Sequence, residues 1–111
     1  MASSSNSDLE KRFNFFLLEI PNHLTSVGKM MEIAFRFGIE HNKVKIWIEN
    51  FPGDIVAICY ELIHTILRNM TQKTVQEKIS TFASACHGRC CLPVETILKR
   101  CNISPSEWKL Q

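Results

Sequence analysis

The sequence predicts an all-α protein, a six-helix antiparallel bundle, and three observations carry that prediction. Apolar residues recur at three- and four-residue spacing in six successive stretches. Each stretch is opened by a capping pattern or closed by a breaker. The connections between them come to about three to six residues, the length found between packed antiparallel helices.

The first helix follows a polar, serine-rich segment (1–6) that reads as a disordered tail. Ser7-Asp8-Leu9-Glu10 is a capping box, in which a hydroxyl and a carboxylate satisfy the orphan N–H groups of a helix start. Leu9, Phe13, Phe16, Leu17 and Ile20 then share one face, and Pro21 is expected to stop the helix. The second helix, over 25–37, places Val27, Met30, Met31, Ala34 and Phe37 on its apolar stripe, with Gly38 as a left-handed cap. The third, over 40–50, turns Val44, Trp47, Ile48 and Phe51 inward. Its β-branched residues make it a weak helix by propensity, and partial alternation across 44–48 leaves strand as the alternative. Pro52-Gly53 breaks the chain.

Asp54 caps the fourth helix, over 54–69, whose stripe is Ile55, Cys59, Leu62, Ile63 and Ile66. Val56, Ile58 and Leu67 widen it beyond one face, so this element is either central or buries a second face against a partner. Thr74 and Glu77 form another capping box, ahead of Val75, Ile79, Phe82, Ala83 and Cys86, with Gly88 closing the fifth helix. Pro93 suits the first turn of the sixth, which faces Val94, Ile97, Leu98 and Cys101 inward. The bundle therefore spans 7–102. Residues 103–111 form a short closing turn in which Ser104-Pro105-Ser106-Glu107 folds Trp108 back onto the body.

A chain of 111 residues is one domain, and a hydrophobic share of 45% is too high for a disordered one. Thirteen basic residues against eleven acidic leave a net charge of +2, so composition shows no nucleic-acid footprint. No stretch approaches the ~18 unbroken apolar residues of a membrane span. No small-residue cleavage site follows the apolar run at 13–18, so no signal peptide is read. Five cysteines, an odd number without an export signal, are expected to be reduced in a cytosolic or nuclear setting. The sequons at Asn69 and Asn102 are then silent.

The order of these signals resembles a death domain. The run Ile33-Ala34-Phe35-Arg36-Phe37-Gly38-Ile39 is similar to the leucine-alanine-x-x-leucine-glycine-isoleucine end of the second helix in that family. Residues 43–52, with Ile48-Glu49 ahead of Pro52, resemble its third helix. Thr74-Val75 matches its alanine-threonine-valine entry to helix five, with Lys73 in place of alanine, and Gly88 falls where the family turns toward helix six. The tryptophans usual in helices two and four are Met30 and Ile66 here. The resemblance covers residues 9–102. It implies a six-helix antiparallel death fold, no enzymatic activity, and homotypic assembly with other death-fold proteins, including copies of itself, in apoptotic or innate immune signalling.

Read for chemistry, the sequence offers no complete catalytic constellation, no cofactor motif and no standard metal motif. Cys86-His87-x-x-Cys90-Cys91, with Cys101 beyond, carries zinc-type ligands, but its spacing fits no usual knuckle. Cys86 and Cys101 fall on apolar stripes, where a thiol acts as a small hydrophobe. Cys90 or Cys91, near Arg89, is a candidate redox thiol. Cys59 and His64 are five residues apart on one helix and lie on different sides, which suits a core Cys and a surface His better than a nucleophilic pair. His41 reads as surface.

The candidate partner interface is charged. Arg36, Lys43 and Lys45 gather where the second helix meets the third, and Glu40, Glu49, Asp54 and Glu61 supply the opposite sign. Lys73, Lys78, Arg89, Lys99 and Arg100 form a second basic group toward the C-terminal third. Phe15, Leu18 and Phe35 stand outside the core stripes. The resulting expectation is a cytoplasmic, non-enzymatic adaptor. The alternatives are a small helical nucleic-acid-binding or viral accessory protein, and a dimer that buries the extra face of the fourth helix.

Overall fold

A computed structural model of the chain describes residues 2–86 and 93–109, with backbone alone for 2–7. Among the described residues there are helices and no strand. They are α1 (Ala2–His23), α2 (Val27–Arg36), α3 (His41–Asn50), α4 (Ile55–Arg68), α5 (Val75–Ala85), α6 (Val94–Arg100) and α7 (Pro105–Trp108). The all-α prediction holds, with seven helices among the described residues where six were expected, the seventh a four-residue helix in the closing segment.

The first element differs from expectation at both ends. α1 begins at Ala2, so its backbone takes in the segment read as a tail, and Ser7 is internal to the helix rather than its cap. Pro21 also lies inside α1, which ends at His23. Proline removes one N–H but leaves the following donors intact, and the Leu24 N–H still reaches the Ile20 carbonyl at 2.9 Å. The helix therefore carries past Pro21 and seats Leu24, which is fully buried.

α2 ends on a Schellman motif. Gly38 takes φ +74°, its N–H donates to Phe35 O at 3.0 Å, and the Ile39 N–H donates to Ala34 O at 2.9 Å. Ile39 and Ala34 are both buried, which adds the apolar contact that accompanies this cap. α6 ends the same way on a different residue. Asn102 has φ +61°, the Asn102 N–H donates to Lys99 O at 3.1 Å, and the Ile103 N–H to Leu98 O at 2.9 Å.

α3 resolves the helix-or-strand ambiguity. Only Val44 and Trp47 are buried, a spacing of three, while Lys45 and Ile46 face outward. Burial on one stripe thus outweighs the β-branched propensity. Before α4 the chain turns through Pro52 and Gly53 (φ +77°), closed by Asp54 N–H to Phe51 O at 3.1 Å. Asp54 then caps α4 as expected, accepting from Ala57 N–H at 3.1 Å. The capping box of α5 also forms, with Glu77 N–H on Thr74 Oγ1 at 3.2 Å and Thr74 N–H on Glu77 Oε1 at 3.3 Å. Pro93 sits at the N-cap of α6, one place before its expected first turn. Gly88 lies outside the described residues.

Two helix groups share one core. α2, α3 and α4 pack on one another, whereas α1 packs on α4, α5 and α6, and α5 carries α6 and α7. The aromatic rings join the groups. Phe82 of α5 meets Phe13 and Phe16 of α1 edge-on at 6.2 and 6.0 Å, and Phe37 at the end of α2 at 5.4 Å. Burying each such side chain contributes about 1.5–3 kcal/mol, and ring pairing adds about 0.5–1.5 kcal/mol.

Candidate interaction surface

The charged residues singled out from sequence lie on and around α3. Its inner stripe, Val44 and Trp47, fixes the orientation, so Lys45 and Glu49 project away from the core, with Lys43 exposed at the edge. Ile46 stands among them at 52% exposure. Glu40 is the N-cap residue of α3, and Asp54 that of α4. Among the described residues, none of Glu40, Lys43, Lys45, Glu49 and Asp54 enters an ion pair within the chain.

The other two candidate interface residues, Arg36 and Glu61, make contacts within the chain. Arg36 is occupied: its guanidinium lies 3.9 Å from Glu32 and donates to the Ala85 carbonyl at 3.3 Å, tying α2 to the end of α5. Glu61 is half-buried on α4, and its backbone carbonyl accepts from the Thr65 hydroxyl at 2.8 Å. Five of the seven charged candidates thus lie around α3, while Arg36 is exposed but engaged within the chain and Glu61 is half-buried on α4.

The exposed apolar residues are distributed rather than pooled on one helix. Phe15 (63%) and Leu18 (57%) share the outer face of α1, Phe35 (81%) stands on α2, and Val56 and Tyr60 mark the outer face of α4. The extra apolar width of α4 is mostly absorbed internally, since Ile58 is buried and Leu67 half-buried.

The cysteines described are core residues. Cys59, Cys86 and Cys101 are buried. Burial pushes the Cys59 thiol up to about 11, so it is protonated at neutral pH and a poor nucleophile, while His64 is exposed on the same helix. Burial also raises Cys101, with a smaller contribution from the charge of Glu19. Among the described residues no group of three or more His, Cys, Asp or Glu is placed to hold a metal. His87, Arg89, Cys90 and Cys91 lie outside them, so the zinc and redox readings rest on sequence alone. No described helix is long and apolar enough to cross a membrane.

One polar cluster was not read from sequence. Arg12 of α1 reaches residues near the other end of the chain. Its Nη1 donates to the Asn102 carbonyl at 2.5 Å and to Glu107 Oε2 at 2.7 Å, and its Nη2 pairs with Asp8 at 3.0 Å. The same Glu107 oxygen accepts from Ser104 N–H at 3.2 Å. The hydrogen bond from Arg12 is the main reason the Glu107 carboxyl titrates below its ordinary value, against a smaller opposing effect of burial. Arg12 Nε is buried with no hydrogen-bond partner among the described residues, so the cluster fixes geometry more than it adds net stability.

Compared with known proteins, the chain matches no family model, no curated protein and no solved structure. The fold and these surfaces therefore carry the functional argument.

Proposed function

We propose that the chain is a non-enzymatic, cytoplasmic protein–protein interaction module, a death-domain-like adaptor that assembles apoptotic or innate immune signalling complexes through homotypic contacts. The observation that carries this reading is the outer face of α3. Lys43, Lys45 and Glu49 are exposed there around the half-exposed Ile46, and no ion pair among the described residues engages them. Charges that a fold leaves unpaired on a packed helix suit a complementary surface on a partner, where they steer association and select register. Glu40 and Asp54 at the flanking helix starts add negative sign to the same side of the sequence. A patch that meets a different patch on the next molecule yields open or helical assemblies rather than closed pairs.

The test is a pull-down of the whole chain against a panel of death-fold domains, with the charge-reversed double variant Lys43→Glu/Lys45→Glu beside it. Retention of a death-fold partner by the native chain, lost in the folded double variant, supports the reading. Retention only on nucleic acid, collapsing as salt rises, replaces it with a phosphate-binding function.

A further inference from the structure

α4 packs on α1, α2 and α3 and buries Ile58, Cys59, Leu62 and Ile66, yet only part of its circumference is used. The remaining arc is open, and at about 3.6 residues per turn its side chains fall into three rows. Val56, Tyr60 and Leu67 form an apolar row, in which Val56 is 49% and Tyr60 36% exposed. Ala57 and His64 form a middle row. Asp54, Glu61 and Arg68, each seven residues from the next, form a charged row. Asp54 and Arg68 are exposed, and neither enters an ion pair among the described residues.

This arrangement is complementary to itself. When two such helices lie antiparallel about a two-fold axis, each row meets its own counterpart, and positions equally far from the centre in opposite directions stand level. Asp54 and Arg68 lie seven residues to either side of Glu61, so a pair centred there sets Asp54 level with the second copy's Arg68 at both ends. The same register brings Val56 beside the second copy's Leu67, the two Tyr60 rings to the centre, and each His64 imidazole over the small side chain of the other copy's Ala57. A parallel pair would oppose Asp54 to Asp54 and Arg68 to Arg68, a like-charge cost that selects the antiparallel arrangement. Glu61 is the exception. Half-buried, it falls level with its own counterpart and works against the pair.

We propose that the open face of α4 binds a second copy of this chain, in an antiparallel two-fold dimer centred on Glu61. With 14 residues α4 is about 21 Å long, so the contact sits at the small end of specific interfaces and the dimer dissociates on dilution. Val56, Tyr60, Leu67 and Arg68 set this surface apart from the outer face of α3, and it stands whether or not that face binds death-fold proteins.

The experiment is sedimentation equilibrium of the full chain over a roughly hundredfold range of concentration. The native chain and Lys43→Glu/Lys45→Glu, in which the α3 face is reversed, should both pass from monomer to dimer. A chain that stays monomeric throughout, or a dimer lost with the α3 charges, overturns the proposal. Arg68→Glu and Asp54→Lys should each dimerise at least ~10-fold more weakly, because each sets like charges against each other at both ends. An equimolar mixture of those two variants should regain the native affinity, since opposite charges then meet at both ends; a mixture no tighter than either variant alone overturns the proposal. Glu61→Gln should tighten the dimer several-fold, and unchanged or weaker affinity overturns it. Should Asp54→Lys, which removes the cap of α4, not fold, Val56→Asp tests the apolar row instead. That variant should dimerise at least ~10-fold more weakly, and native affinity would overturn the proposal.

Discussion

The two helix groups are held by different means. α2, α3 and α4 meet through apolar side chains, Met30, Ile33, Val44, Trp47, Ile58 and Leu62 among them, and leave the charges of α3 unengaged. The group built on α1, α5, α6 and α7 shares that apolar core but adds a polar clasp, in which Arg12 joins Asp8, Asn102 and Glu107. The difference teaches where charge is structural and where it is spare. Around Arg12, reversing a charge removes a tie between distant parts of the chain. On α3 it alters only what the outside sees.

Phe82 lies where the two groups meet, so its loss should produce the largest effect. Phe82→Ala removes ring contacts to Phe13, Phe16 and Phe37 at once and should cost about 3–5 kcal/mol. That is a large share of the roughly 5–15 kcal/mol expected for a domain. Urea unfolding would measure it, and a loss below about 1 kcal/mol would mean that the rings do not bridge the groups.

Arg12→Ala should come next, at about 0.5–1.5 kcal/mol, because it removes the hydrogen bonds to the Asn102 carbonyl and the Glu107 carboxylate. Its pH signature separates it from simple packing loss. The folded carboxyl of Glu107 titrates below its ordinary value of 4.5, so the unfolded chain binds more protons across that window. Stability contributed by the clasp is thus present above that ordinary value and lost as pH falls through the folded one. Unfolding midpoints between roughly pH 5 and 3 should fall less steeply for Glu107→Gln than for the native chain.

The two Schellman caps offer a smaller and sharper contrast. Gly38→Ala should cost about 1 kcal/mol through the left-handed backbone alone, since no atom beyond its chain neighbours lies within 4 Å of the added Cβ. Asn102→Gly should stabilise by a few tenths of a kcal/mol, because asparagine already tolerates that conformation. Thermal unfolding of both single variants would show opposite signs.

Much of this architecture was legible because its signals are local. The caps at Asp54 and Thr74, the left-handed turn at Gly38 and the stripe of α6 each follow from residues within one or two turns of helix. The start of α1 was misplaced because Ser7 offered a good local cap while the backbone before it was already helical. Pro21 misled because a proline signals a lost hydrogen bond, not whether the next donor finds its carbonyl. The clasp was invisible for a different reason: Arg12 and Glu107 are ninety-five positions apart, and no periodicity relates them. Of the charged surface, the sequence located the α3 face but could not show that Arg36 turns to Ala85 or that Glu61 is half-buried.

The smallest expected effect on stability carries the most weight for function. Lys43→Glu/Lys45→Glu should change unfolding free energy by no more than about 0.5 kcal/mol, as exposed charges without partners in the fold contribute little to it. The decisive measurement is binding of this double variant and the native chain to a death-fold partner retained by the native chain, with circular dichroism on the same samples. The account predicts equal helical content and at least a tenfold loss of affinity. Equal helical content with unchanged affinity would contradict it and remove α3 as the interaction face.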